Sequence, residues 1–201
     1  VNTVLTSTTR SSLVNVITGS GYSLSEPKYL SWGTGVSPAL PTDIALGNPI
    51  GSVISGTVST LSTVTSGDTY FCTGTFTASG IVSVTEVGLF TSQSSSAVGL
   101  IANQVGPTDT TITVSGYSGF PGTFPFNVQV LTEVMTVTSG NGTNVFNVIR
   151  GANGSSRVTS IIPTLTPVVG PAGYMFLKST FSSINLYPGD NLQFNISVQF
   201  S

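Results

Sequence analysis

The sequence predicts an all-β protein of two modules: an antiparallel β-sandwich or jelly-roll-like outer domain, interrupted near residue 100 by a small inserted β-barrel or meander module. Three observations predict it. Over residues 192–200 the apolar side chains Leu192, Phe194, Ile196, Val198 and Phe200 alternate without a fault with Gln193, Asn195, Ser197 and Gln199, the two-residue period of a half-buried strand. Residues 81–90 carry a similar alternation, Val82 and Val84 against Ser83 and Thr85. Between these stretches lies a segment with its own strand-and-turn grammar, closed by Pro163, Pro167, Gly170, Pro171 and Gly173, the composition of a module boundary.

The chain opens polar and threonine-rich. Leu13, Val14, Val16 and Ile17 fit a short helix capped by Ser11 or Ser12 and closed by Gly19 and Gly21; because Val and Ile are weak helix formers, an edge strand is the alternative. Residues 29–32 read as a strand, followed by a Gly33-Thr34-Gly35 turn and a loop whose Pro38, Pro41 and Pro49 forbid a regular ladder. Residues 53–64 and 69–77 alternate around Ser66-Gly67-Asp68 and suggest a hairpin. Gly80 breaks the chain ahead of the strand at 81–90. Within that strand Gly88 marks a bulge or a close backbone approach. Glu86 is its lone acid. A carboxylate in an apolar strand faces solvent or is held by a donor, so a structural partner such as Lys178 or a pair of backbone amides is expected for it. The small residues at 92–97 read as a loop.

In the insert, 101–170, strands are expected at 108–114 and 126–130, with a turn at 119–122 between them. A hairpin follows, pairing 133–139 with 144–150 around Gly140-Asn141-Gly142-Thr143. In the register that matches most apolar pairs, Val134 faces Ile149, Met135 faces Val148, Val137 faces Phe146, and Glu133 lies opposite Arg150. Removing the insert leaves a discontinuous outer domain, 1–100 plus 171–201. Its last strands, 174–181 and 192–200, are joined by a turn at 187–190, and both are expected in the sheet that contains 81–90.

Composition limits what such a protein does. Only 6% of the residues are charged, against roughly 25% in an ordinary soluble protein, and the mean hydropathy is +0.36. The longest apolar run, Tyr174-Met175-Phe176-Leu177, is far short of the ~18 residues of a membrane span, and the strands are too few for a transmembrane barrel. The remaining explanation is a surface of Ser, Thr, Asn and Gly, much of it covered by neighbours in an assembly. Arg10, Lys28, Arg150, Arg157 and Lys178 are scattered, which leaves no footprint for nucleic acid. There is no histidine and a single cysteine. The usual general bases, catalytic triads, transition-metal sites and internal disulfides are therefore excluded. Cys72 is expected to be a buried, inert thiol. Gly19-Ser20-Gly21 and Gly33-Thr34-Gly35 lack the third glycine or lysine of a phosphate cradle. No catalytic, cofactor or metal residue is expected; Glu86, Gly88, Glu133 and Arg150 are the candidate structural positions. Residues 1–24 lack the basic start and apolar block of a signal peptide, and Val1 in place of Met implies removal of one residue or a processed end.

The order Tyr29-Leu30-Ser31-Trp32-Gly33-Thr34-Gly35, Thr42-Asp43 with Ala45-Leu46, Thr85-Glu86-Val87-Gly88-Leu89-Phe90, Phe181 and a final strand behind Gly189-Asp190 resembles small bacteriophage virion proteins of the head-decoration or tail-fibre-like kind. The insert is similar to a module of phage structural proteins, with Thr108 to Thr111 as its opening, Glu133 ahead of a Thr-rich hairpin, and Arg150 to Ser155 as its close. The histidine that usually follows is absent. The resemblance implies a virion structural protein, a capsid decoration (cement) protein made in the host cytoplasm. It would bind the major capsid protein on the head exterior as a homo-oligomer, trimer or dimer, with no nucleic acid, membrane or cofactor. The alternative it implies is a tail-fibre or baseplate component that meets a host glycan through Trp32, Tyr22 or Tyr117.

Overall fold

The computed structural model describes residues 2–19, 25–93, 96–140, 143–170 and 173–200. In chain order the elements are β1 (Asn2–Leu5), α1 (Ser7–Ile17), β2 (Tyr29–Gly33), β3 (Pro49–Ser55), β4 (Thr57–Leu61), β5 (Thr69–Thr77) and β6 (Val82–Phe90). There follow β7 (Val98–Ile101), β8 (Thr111–Ser115), β9 (Phe126–Val130), β10 (Glu133–Ser139), β11 (Val145–Ile149) and β12 (Pro167–Val169), and then β13 (Met175–Leu186) and β14 (Asn191–Gln199). The protein is all-β, with antiparallel pairing throughout: a five-stranded sheet β1-β13-β6-β2-β3, a three-stranded sheet β14-β5-β4, and a closed barrel β10-β11-β8-β7-β12-β9.

The two open sheets share one core, a sandwich in which Leu30, Trp32, Val84, Val87, Leu89 and Phe176 of the larger sheet meet Cys72, Phe76, Ile196 and Val198 of the smaller. Trp32 stacks on Phe76 at 4.6 Å between ring centroids, 14° from parallel. Cys72 is fully buried there, and burial pushes its thiol up to about 11, the protonated, unreactive state. The chain crosses between sheets at Gly56, where an added Cβ would lie 2.6 Å from Leu30 Cδ1 and 2.7 Å from Cys72 Sγ. The alternating run at 53–64 is thus two strands in two sheets. Only its second half, β4, makes the hairpin with β5, in the register Leu61↔Thr69.

Other expectations are corrected as well. β13 joins β6, but β14 pairs with β5 in the opposite sheet over nine residues, Asn191↔Thr77 to Gln199↔Thr69. The cause is the preceding turn, which docks on the end of β5: the Ala78 amide donates to Asp190 O and the Gly189 amide to Ala78 O, both at 2.8 Å. The helix α1 starts at Ser7 under a Thr6 cap, whose hydroxyl accepts from the Thr9 amide at 3.3 Å. Its hydroxyls rather than its aliphatics face inward. Thr9 Oγ1 donates to Phe176 O of β13 at 2.8 Å, while Val14, Val16 and Ile17 are exposed, Ile17 by 83%. Among the described residues no helix is long and apolar enough to cross a membrane. Gly21 and Tyr22 lie outside the described residues.

A further correction is the register of the β10–β11 hairpin. Thr136 faces Ile149 and Val137 faces Val148, with an irregularity before Ser139, two residues away from the expected pairing. A slip of two keeps every side chain on its face, so Met135, Val137, Phe146 and Val148 still fill the barrel with Ile101, Ile112, Val114 and Val128. The expected Asn141-Gly142 turn lies outside the described residues. The barrel begins at Val98 rather than at 101, and Pro167, expected in a stiff exit, opens strand β12, a position where a missing N–H is tolerated.

Candidate functional site

Strand β6 is buried on both faces. Val84, Val87 and Leu89 enter the sandwich core, and Phe90, with Leu46 and Met175, packs on the other side. Gly88 is a close approach rather than a bulge. A Cβ there would meet Phe90 Cε2 at 2.7 Å and Leu46 Cδ2 at 3.1 Å.

Glu86, fully buried, points to that second side into a ring of backbone from the loop between β2 and β3. Its Oε1 accepts from the amides of Gly35 at 3.0 Å and Asn48 at 2.9 Å, and its Oε2 from the amide of Gly47 at 3.0 Å. Both kinds of expected partner are present, because Lys178 Nζ of β13 lies 3.6 Å from Oε2. The Gly33-Thr34-Gly35 turn cradles a carboxylate of its own chain: a Cβ at Gly33 would fall 2.5 Å from Glu86 Oε1, and one at Gly35 closer still.

Lys178 is the centre of this cluster. It is 0% exposed, and Nζ lies 3.1 Å from Asp43 Oδ2. Among the described residues no acceptor meets Nζ at hydrogen-bond angles despite the short distance. Asp43 Oδ2 also accepts from the Leu40 amide at 3.0 Å, and Oδ1 from Gln129 Nε2 at 2.7 Å. Burial raises the Asp43 carboxyl above its usual range, against the pull of Lys178, the Leu40 amide and Gln129.

Gln129 belongs to β9, so the barrel reaches into the sandwich's ionic cluster. Its Oε1 accepts from the amides of Ile44 at 2.9 Å and Ala45 at 3.0 Å. All of its side-chain bonds but one, to Leu131 O at 3.2 Å, therefore lead to the loop of the outer module.

A second ionic centre lies in the barrel. Arg150 Nε and Nη2 donate to Glu133 Oε1 and Oε2, both at 2.7 Å, the two-pronged geometry that a planar guanidinium allows. The slipped register means these residues do not face each other across the ladder, yet the expected pair forms. Glu133 also accepts from the Gly151 and Val158 amides, each at 2.9 Å, and Arg150 Nη1 donates to Gly106 O at 3.0 Å. Burial alone would raise the Glu133 carboxyl; Arg150 and the two amides outweigh it and hold the group below its ordinary value. Apart from Lys178 Nζ, whose close contacts are the two carboxylates, the buried side-chain groups of both clusters find hydrogen-bond partners within the chain.

The other candidates change character. Trp32 is core, Tyr117 is partly buried against the barrel core, and Tyr22 is outside the described residues. Among the described residues no three His, Cys, Asp or Glu side chains group as metal ligands. Asp43 enters the sequence reading only as part of the Thr42-Asp43 motif and not as a candidate site residue, and Gln129 does not enter it as either. A signal existed for Asp43, a lone acid in a proline-rich loop, but Gln129 occupies the polar phase of an alternating strand and reads as solvent-facing. A comparison with protein-family models and a search of curated proteins find no match to this chain.

Proposed function

We propose that this chain is a non-catalytic virion structural protein, a decoration or cement protein that binds the outside of a phage head as a homo-oligomer and reinforces contacts between capsid subunits. The observation that carries the reading is where the charges lie. Of five basic and seven acidic side chains, Asp43, Asp68, Glu86, Glu133, Arg150 and Lys178 are buried. Six charged groups are left for 9610 Å² of surface, whereas a free monomer commonly has about a quarter to a third of its surface residues charged. An uncharged surface is cheap to desolvate against a partner.

The helix α1 supports the same reading, because Val14, Val16 and Ile17 are turned outward, an arrangement stabilised when a neighbour covers them. Assignment to a phage head rests on the resemblance of the motifs around Trp32, Asp43 and Glu86. The test is quantitation of the chain in purified particles, followed by a salt wash. Copies in the hundreds per particle, retained in high salt because few charges exist to be screened, fit a cement protein. A handful of copies located in the tail, or wholesale release by salt, would contradict it.

A further inference from the structure

We propose that Lys178 and Asp43 condense into a side-chain amide, with Glu86 carrying the protons, so that the mature chain holds an intramolecular isopeptide cross-link it makes unaided. The three groups are brought together from β13, the loop after β2 and strand β6, and each is buried. Lys178 Nζ stands 3.1 Å from Asp43 Oδ2 and 3.6 Å from Glu86 Oε2. Among the described residues no acceptor meets its Nζ at hydrogen-bond angles, so its close polar neighbours are the two carboxylates. A buried amine lying against a carboxyl with a second carboxylate in reach is a nucleophile, an electrophile and a base in one dry site.

The steps balance within the cluster. A proton passes from the Lys178 ammonium to the Asp43 carboxylate, giving a neutral amine and a neutral acid, the pair favoured where water is excluded. The upward shift of Asp43, caused first by its burial, works in that direction. The nitrogen lone pair then forms a bond to Asp43 Cγ. Gln129 Nε2, 2.7 Å from Oδ1, polarises that carbonyl and stabilises the negative oxygen that develops. Glu86 takes a proton from the nitrogen and delivers it to the departing hydroxyl, the Cγ–Oδ2 bond breaks, and water leaves. No oxidant or cofactor is needed. The amides of Gly35, Gly47 and Asn48 hold Glu86 in place for both transfers. The product replaces two buried ions by one neutral amide, removing a desolvation penalty that an ion pair only partly offsets.

The experiment is the intact mass of the full chain, purified folded and then denatured, followed by proteolysis and fragment sequencing. The expected result is a mass lower than the sequence requires by one water molecule, with the peptides containing Asp43 and Lys178 joined. Glu86→Gln, which keeps the side chain's size, should return the chain to full mass; a cross-link formed at the normal rate in that variant would remove Glu86 from the chemistry. Because the primary reading is made on the unaltered chain, a variant that fails to fold does not blunt it. Full mass for the unaltered protein, or water loss traced to any other residue, overturns the proposal.

Discussion

Gln129 Nε2, on a strand of the barrel, donates to Asp43 Oδ1 in the sandwich's loop at 2.7 Å, and Gln129 Oε1 accepts from the amides of Ile44 and Ala45. One buried amide side chain thus gives donors and acceptors on the outer module the partners they lack. Replacing it with Ala leaves two amides and a carboxylate oxygen unsatisfied, at about 1–3 kcal/mol for each buried group. The expected outcome for Gln129→Ala is a lower melting temperature and separation of one calorimetric transition into two. A single unchanged transition would show that the modules are joined elsewhere.

The Glu133–Arg150 pair gives a sharper case, since both side chains are fully buried. Removing one partner strands the other, and such changes cost about 3–5 kcal/mol. Arg150→Ala is expected to lose that much in urea unfolding. Arg150→Lys should recover little, because an ammonium cannot satisfy both carboxylate oxygens and Gly106 O in one plane.

How much of this was legible in the sequence depends on what alternation can encode. It located β9 and β14 because each has one wet face or one polar phase, but it read 81–90 as half-buried, whereas β6 is buried on both sides from Glu86 to Phe90. It was blind to the two-residue slip between β10 and β11, which leaves every face unchanged, and to the sheet in which β14 lies, which the docking of the Gly189-Asp190 turn on Ala78 decides. The Thr6 cap was hidden in a run of Thr and Ser, any of which can cap. Within the site, Glu86 and Lys178 followed from the rule that a buried acid needs a donor. Gln129 did not, because the outward face of the barrel is covered there by residues 43–46, a contact between segments far apart in sequence.

Stability should fall in acid. The carboxyl of Glu133 is held below its ordinary 4.5, and that of Asp68 is lowered by the amides of Thr63, Thr65 and Val64. A group depressed in the fold contributes stability above its unfolded value, and the contribution is lost as pH falls through the folded one. The melting temperature is therefore expected to be level near neutrality and to drop below about pH 4.5. Asp43 adds nothing to this limb: while free, its upward shift acts with the opposite sign, and once joined to Lys178 it has no proton to exchange. A melting temperature that rises on acidification through this range would contradict the assignment.

The outward face of α1 separates folding from assembly. Ile17 is 83% exposed, and surface substitutions away from packed groups change stability by about 0.5 kcal/mol or less. Ile17→Asp is expected to leave the melting temperature within a few degrees while weakening self-association or attachment to particles, read by sedimentation and by copy number.

The most direct test of the account is sedimentation of the purified chain over a range of protein and salt concentrations. A surface this poor in charge predicts a dimer or trimer that persists as salt rises, because its contacts are uncharged and unscreened. A monomer at every concentration, or an oligomer that dissolves in salt, would contradict the claim that this surface is built to be covered.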